Sequence, residues 1–175
     1  MRFISEKQGL EKLRSLKDDF SARIRSDFEN KAKSCVTCET PGACCLDAHF
    51  VNVRISRLEA AAIRNAIGKL SNGSAERVYG RVEETIEKYG LDENGSVHMT
   101  YACPLFEKGI GCLVHDEGKP LPCIQHACYE NEKDLPPDEL LAEMEGRVDR
   151  LNRLVFGNAS VLTPLPVAIS QKSRT

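Results

Sequence analysis

Tryptophan is absent from this sequence, and only six Phe and four Tyr stand among its 175 residues, while 29% of them are charged. A core must therefore come from Leu, Ile, Val and Ala, and apolar burial alone leaves a modest margin of stability. An excess of positive charge is missing too: 24 Lys and Arg face 26 Asp and Glu, for a net charge of −2. Nucleic-acid binders and proteins that sit on anionic membranes carry a basic surplus that displaces counterions, so neither class of partner is expected. No apolar run reaches the ~18 residues that a membrane-spanning helix needs. The first residues meet charge at Arg2, Glu6 and Lys7 without the apolar stretch of a signal peptide, so a cytoplasmic, reducing setting is expected. Cysteine, by contrast, is plentiful, with eight in the chain. In a reducing compartment, recurring cysteine spacing points to metal or catalysis ahead of disulfides.

Apolar residues at Leu10, Leu13, Leu16, Phe20, Ile24 and Phe28 recur at three- and four-residue steps, which predicts an amphipathic helix from about Ile4 to Lys33. Ser56 and Glu59 form a capping-box pattern ahead of Leu58, Ala62, Ala66, Ile67 and Leu70, and predict a second helix near 57–70 that stops before Gly73. A third, from about Ser74, carries Val78, Val82, Ile86 and Tyr89 and ends at Gly90. Pro136 and Pro137 fit the first turn of a fourth, with Leu140, Leu141, Met144, Val148, Leu151 and Val155 on one face and Gly157 after it. Alternation around Val97, Met99 and Tyr101 suggests one short strand, and Phe50, Val51 and Val53 another. The expected fold is mainly α, with about four helices and a small β element around a cysteine-ligated metal centre; α+β is the alternative. The expected organisation is an N-terminal helix over 1–34, a metal-binding domain over 35–130 with two inserted helices, a C-terminal helix over 136–157 packing on it, and an extended tail over 158–175.

All eight cysteines fall in the two segments that resist helix assignment. Cys35, Cys38, Cys44 and Cys45 make the first block, and Cys103, Cys112, Cys123 and Cys128 the second. A two-residue spacer lets both thiolates of a pair turn onto one cation at about 2.3 Å, and Gly42 lets the backbone curl. All eight are candidate metal ligands. Adjacent Cys44 and Cys45 normally point apart, which leaves open whether they serve two metals or one ligates and the other supports. Competing readings fare worse. Buried structural thiols would be spread over the helices, which hold none. A disulfide framework needs an oxidising compartment. A thioredoxin-like pair at Cys35 and Cys38 would follow a strand and leaves six cysteines unexplained.

The second block, Cys103-Pro104-Leu105-Phe106, Gly111-Cys112-Leu113-Val114-His115, Lys119-Pro120-Leu121-Pro122-Cys123 and Cys128, resembles the YkgJ-type cysteine-cluster family, the zinc- or iron-chelating CxxCxxCC domain. The similarity covers about residues 35–128. It departs from the family pattern in the wider gap between Cys38 and Cys44, in Lys119 where Arg is usual, and in Ile124 where Arg is common. The resemblance implies a metal-bound domain; related clusters occur in a protein-modifying enzyme that carries an iron–sulfur cluster.

His115 and His126 stand two residues beyond Cys112 and Cys123, and are read as packing or supporting groups rather than ligands, as are His49 and His98. Asp47, Asp116 and Glu117 lie near cysteines, but no catalytic role is assigned. Three functions compete: an iron or iron–sulfur protein acting in electron transfer or beside a modifying enzyme, a structural zinc module whose helices present a surface to a protein partner, and metal storage or delivery. Thiolates suit zinc, copper(I) and iron–sulfur centres alike, so the sequence does not choose the metal.

Overall fold

The computed structural model describes residues 3–33, 42–46, 52–93 and 99–171. The chain divides into two units, Met1–Pro41 with Pro120–Ser160 and Gly42–Lys119 with Val161–Thr175. Among the described residues the fold is mainly helical, with six helices and three antiparallel pairs of two-residue strands.

In the first unit, helix α1 (Glu6–Asp27) opens on a complete capping box. The Ser5 hydroxyl accepts from the Gln8 backbone N–H at 3.2 Å, and Gln8 Oε1 accepts from the Ser5 N–H at 3.1 Å, so two of the orphan donors of the first turn are satisfied. Its apolar stripe buries Leu13, Leu16, Phe20 and Ile24. The helix stops earlier than periodicity suggested. After Phe28 comes a 3-10 turn over Glu29–Lys31, and then Ala32–Lys33 form strand β1. Helix α4 (Leu121–Gln125) is led by Pro120 and Pro122, and strand β5 (Cys128–Tyr129) pairs with β1 in the register Ala32 to Tyr129 and Lys33 to Cys128. Helix α5 (Asp138–Phe156) packs on α1 and α4 through Leu140, Met144 and Val148. Pro137 sits at its N-cap rather than inside its first turn, Asp138 and Glu139 complement the helix dipole, and Gly157 closes it with φ +82°.

The second unit is built on helices α2 (Arg57–Ile67), α3 (Asn72–Tyr89) and α6 (Leu165–Ser170). The Ser56 and Glu59 capping box is present, and both residues are buried. Helix α3 starts two residues before the expected Ser74, because Ser71 accepts from the Ser74 N–H as N-cap, and Gly73 lies inside the helix. Gly90 ends it in the left-handed conformation. Ile55, Ile63, Ile67, Val78, Val82, Leu105, Val114, Leu165 and Ile169 form one core, with Cys103 and Cys112 packed against it.

Two elements depart from expectation. The segment 158–175 was expected to be extended, yet Leu165–Ser170 is helical and buries Leu165 and Ile169 at 1% exposure each. Pro164 and Pro166 favour this start, since proline is tolerated where the first-turn N–H has no helical partner. The strand expected near Val53 is β2 (Arg54–Ile55), which pairs with β6 (Thr163–Pro164). No strand runs through Met99–Tyr101. Phe50, Val51 and Val97 lie outside the described residues. Tyr101 is fully buried instead as a polar anchor: its hydroxyl donates to the Val53 carbonyl at 2.6 Å and accepts from the Leu165 N–H at 3.2 Å.

Candidate metal centre

The sequence Gly42-Ala43-Cys44-Cys45 folds as a single 3-10 turn over Ala43–Cys45, entered through Gly42 at φ +82°. The Cys45 N–H donates to the Gly42 carbonyl at 2.8 Å. Gly42 is required twice over, by its left-handed backbone and by the ring of Phe106, whose Cζ lies 2.0 Å from where a Cβ would stand. The turn is tied to the second cysteine block directly: the Cys103 N–H donates to the Cys45 carbonyl at 2.8 Å.

Beyond Cys103 the chain makes a tight hairpin. Strand β3 (Phe106–Glu107) pairs with β4 (Gly111–Cys112), setting Phe106 opposite Cys112, and the Leu113 N–H donates to the Leu105 carbonyl at 2.9 Å. The Phe106 N–H turns back to the Cys103 carbonyl at 3.1 Å. Cys103 and Cys112 are thereby fixed at the base of one hairpin, facing the turn that carries Cys44 and Cys45. Helix α3 holds this hairpin. Arg81 Nε donates to the Pro104 carbonyl at 2.9 Å, Arg81 Nη1 stands 3.5 Å from Glu107 Oε2, and Arg77 Nη2 stands 3.6 Å from Glu107 Oε1.

The thiols sense one another. Burial pushes the Cys45 thiol up to about 12, and Cys103, then Cys44 by charge and by a hydrogen bond, then Cys112 push in the same direction. Cys112 is raised by burial as well, with Asp116 adding to it and a hydrogen bond from the Val114 backbone and the charge of Lys119 opposing it. Burial and its thiol neighbours hold Cys45 neutral, and a cation reverses this, because a coordinated metal deprotonates its thiols outright. Thiol donors are of the kind that a thiophilic metal takes. Among the described residues, no three His, Cys, Asp or Glu side chains converge as a closed ligand group.

The other candidates are placed elsewhere. Cys123 lies on α4 and Cys128 on β5, both half-buried, in the first unit. Cys35 and Cys38, with His49, His98 and Asp47, lie outside the described residues. His115 and His126 are exposed. Asp116 is exposed beside Cys112, and Glu117 pairs with Lys69. The six described cysteines form no disulfide with one another. No motif in the sequence singles out Arg81, whose side chain is only 28% exposed; its place next to Val82, at the edge of the buried stripe, is the one signal available. No helix among the described residues is long and apolar enough to cross a membrane. No family model, curated protein or solved structure matches the chain.

Proposed function

We propose that this chain is a cysteine-ligated metal protein, carrying iron, most simply as an iron–sulfur cluster, or zinc, and serving as an electron-transfer or accessory module in a reducing compartment. The observation that carries this reading is the hydrogen bond between the Cys45 carbonyl and the Cys103 N–H, which draws cysteines from two distant blocks to one place in the fold. Neutral thiols pack in a core unaided, but thiolates gathered in one place need a cation to share their charge. The ordered second block, from Cys103-Pro104 through Gly111-Cys112 to Cys123 and Cys128, supports the same reading by its resemblance to the YkgJ-type family. Four thiolates suffice for a [4Fe–4S] cluster or for a closed tetrahedral zinc site. A bound cluster would supply one-electron chemistry, whereas zinc would supply only cross-linking of the loops.

Protein purified without oxygen is expected to contain at least one iron or zinc per chain, and brown colour with acid-labile sulfide identifies the cluster. Folded, metal-free protein with all its thiols titratable would sink the proposal.

A further inference from the structure

Resting on that metal-binding reading, we propose that Cys44, Cys45, Cys103 and Cys112 make one self-contained four-thiolate site, assembled from the end of the first cysteine block and the start of the second. Sequence order alone groups the cysteines by block, Cys35 to Cys45 and Cys103 to Cys128. The fold cuts across both blocks.

Three observations carry the grouping. The first is the backbone. The Gly42–Cys45 turn and Cys103 are joined by a 2.8 Å hydrogen bond, and the Phe106–Cys112 strand pairing returns Cys112 to the neighbourhood of Cys103. The second is what lies beneath. Cys103 and Cys112 both rest on the core of α2, α3 and α6, and Arg81 on α3 holds the Pro104 carbonyl between them, so the two loops are presented from a rigid base. The third is the fate of the remaining described cysteines. Cys128 lies on β5 and Cys123 on α4, both in the unit formed by Met1–Pro41 and Pro120–Ser160, whereas Cys44, Cys45, Cys103 and Cys112 all belong to the other. Neither is needed to complete a set of four. The four side chains do not converge as a closed ligand set, so a bound metal has to draw the sulfurs together from backbones that already meet.

The test uses the full chain, stripped of metal under reductant and titrated with cobalt(II), whose near-ultraviolet thiolate-to-metal band reports the number of sulfur ligands. In the double variant Cys45→Ser, Cys112→Ser, a single four-sulfur signal is expected to disappear, with no loss at any other site. In Cys123→Ser, Cys128→Ser that same signal is expected to stay at full intensity. Grouping by block predicts the reverse, with Cys45 and Cys112 damaging two separate sites and the Cys123, Cys128 pair erasing one that contains Cys112; either result overturns the proposal. Wild-type protein that develops no thiolate-to-cobalt band would instead overturn the metal-binding reading itself. The wild type also gives a measurement independent of variant folding: at one equivalent of cobalt, alkylation mapped by mass spectrometry is expected to find Cys44, Cys45, Cys103 and Cys112 protected together. Protection that pairs Cys112 with Cys123 or Cys128 refutes the grouping.

Discussion

Gly42 and Gly109 have nearly the same φ, +82° and +84°, but different surroundings. A Cβ on Gly42 meets the Phe106 ring, whereas one on Gly109 has nothing within 4 Å. Left-handed backbone costs an L-residue about 1–2 kcal/mol, so Gly109→Ala is expected to lose about that much, and Gly42→Ala more, with lowered metal content besides. Denaturant unfolding of the two variants checks this, and equal losses would mean that Phe106 yields freely. Asp149 makes a different kind of statement. Its Oδ1 accepts from the Ser160 N–H at 2.7 Å and its Oδ2 from Arg153 Nε at 2.8 Å. The Ser160 bond, followed by the Arg153 hydrogen bond and charge, holds the carboxyl below its ordinary value against the opposing effect of burial. The folded pKa is depressed, so the stabilisation is complete above the unfolded value of about 3.9 and is lost as pH falls through the lower folded one. Asp149→Asn is expected to destabilise the protein by roughly 1 kcal/mol at neutral pH. The difference from wild type should shrink in acid below the unfolded value; a pH-independent difference would show that charge is not involved.

At the scale of elements, Arg81 couples α3 to the hairpin that bears Cys103 and Cys112. Removing a charged donor from a half-buried carbonyl costs roughly 1–3 kcal/mol, so Arg81→Ala is expected to lower the unfolding midpoint and to release metal more readily. Glu107→Gln should do less, because its partners stand at 3.5 and 3.6 Å in partly exposed pairs. If both variants kept wild-type metal retention under chelator competition, the clamp would be irrelevant to the centre. The long helices were legible in the sequence through a periodic stripe, alone for α1 and joined by a cap elsewhere: Ser56 with Glu59 for α2, Gly90 for α3 and Gly157 for α5. Helices α4 and α6 were not, since five or six residues complete too little of a helical period to stand out, and their prolines read as loop. Strands of two residues carry no alternation at all. Gly42 was read correctly as a place where the chain curls, but the contact of Cys45 with Cys103 is long-range and leaves no local trace.

For the whole molecule, if the proposed metal is bound, the balance between metal affinity and packing sets the response to its loss. A structural zinc contributes an apparent ~10–16 kcal/mol, against a total stability of ~5–15 kcal/mol for a typical domain. Yet α1 with α4 and α5, and α2 with α3 and α6, each bury a core of their own. Chelation at neutral pH is therefore expected to abolish the near-ultraviolet signal of the cysteine loops while most of the far-ultraviolet helix signal survives. Simultaneous loss of both signals would show that the metal holds the entire fold. Each unit joins segments that are translated far apart. The Gly42–Lys119 unit lacks α6 until Leu165–Ser170 has left the ribosome, and until then Ile55, Ile63 and Val82 miss part of their cover. The Met1–Pro41 segment likewise waits for Pro120–Ser160 before Leu13 and Phe20 are covered. Every thiol in the chain is thus made before either unit can finish folding, and the nascent polypeptide passes through a stage in which all its cysteines depend on the reducing power of their surroundings, with no completed core to shelter them.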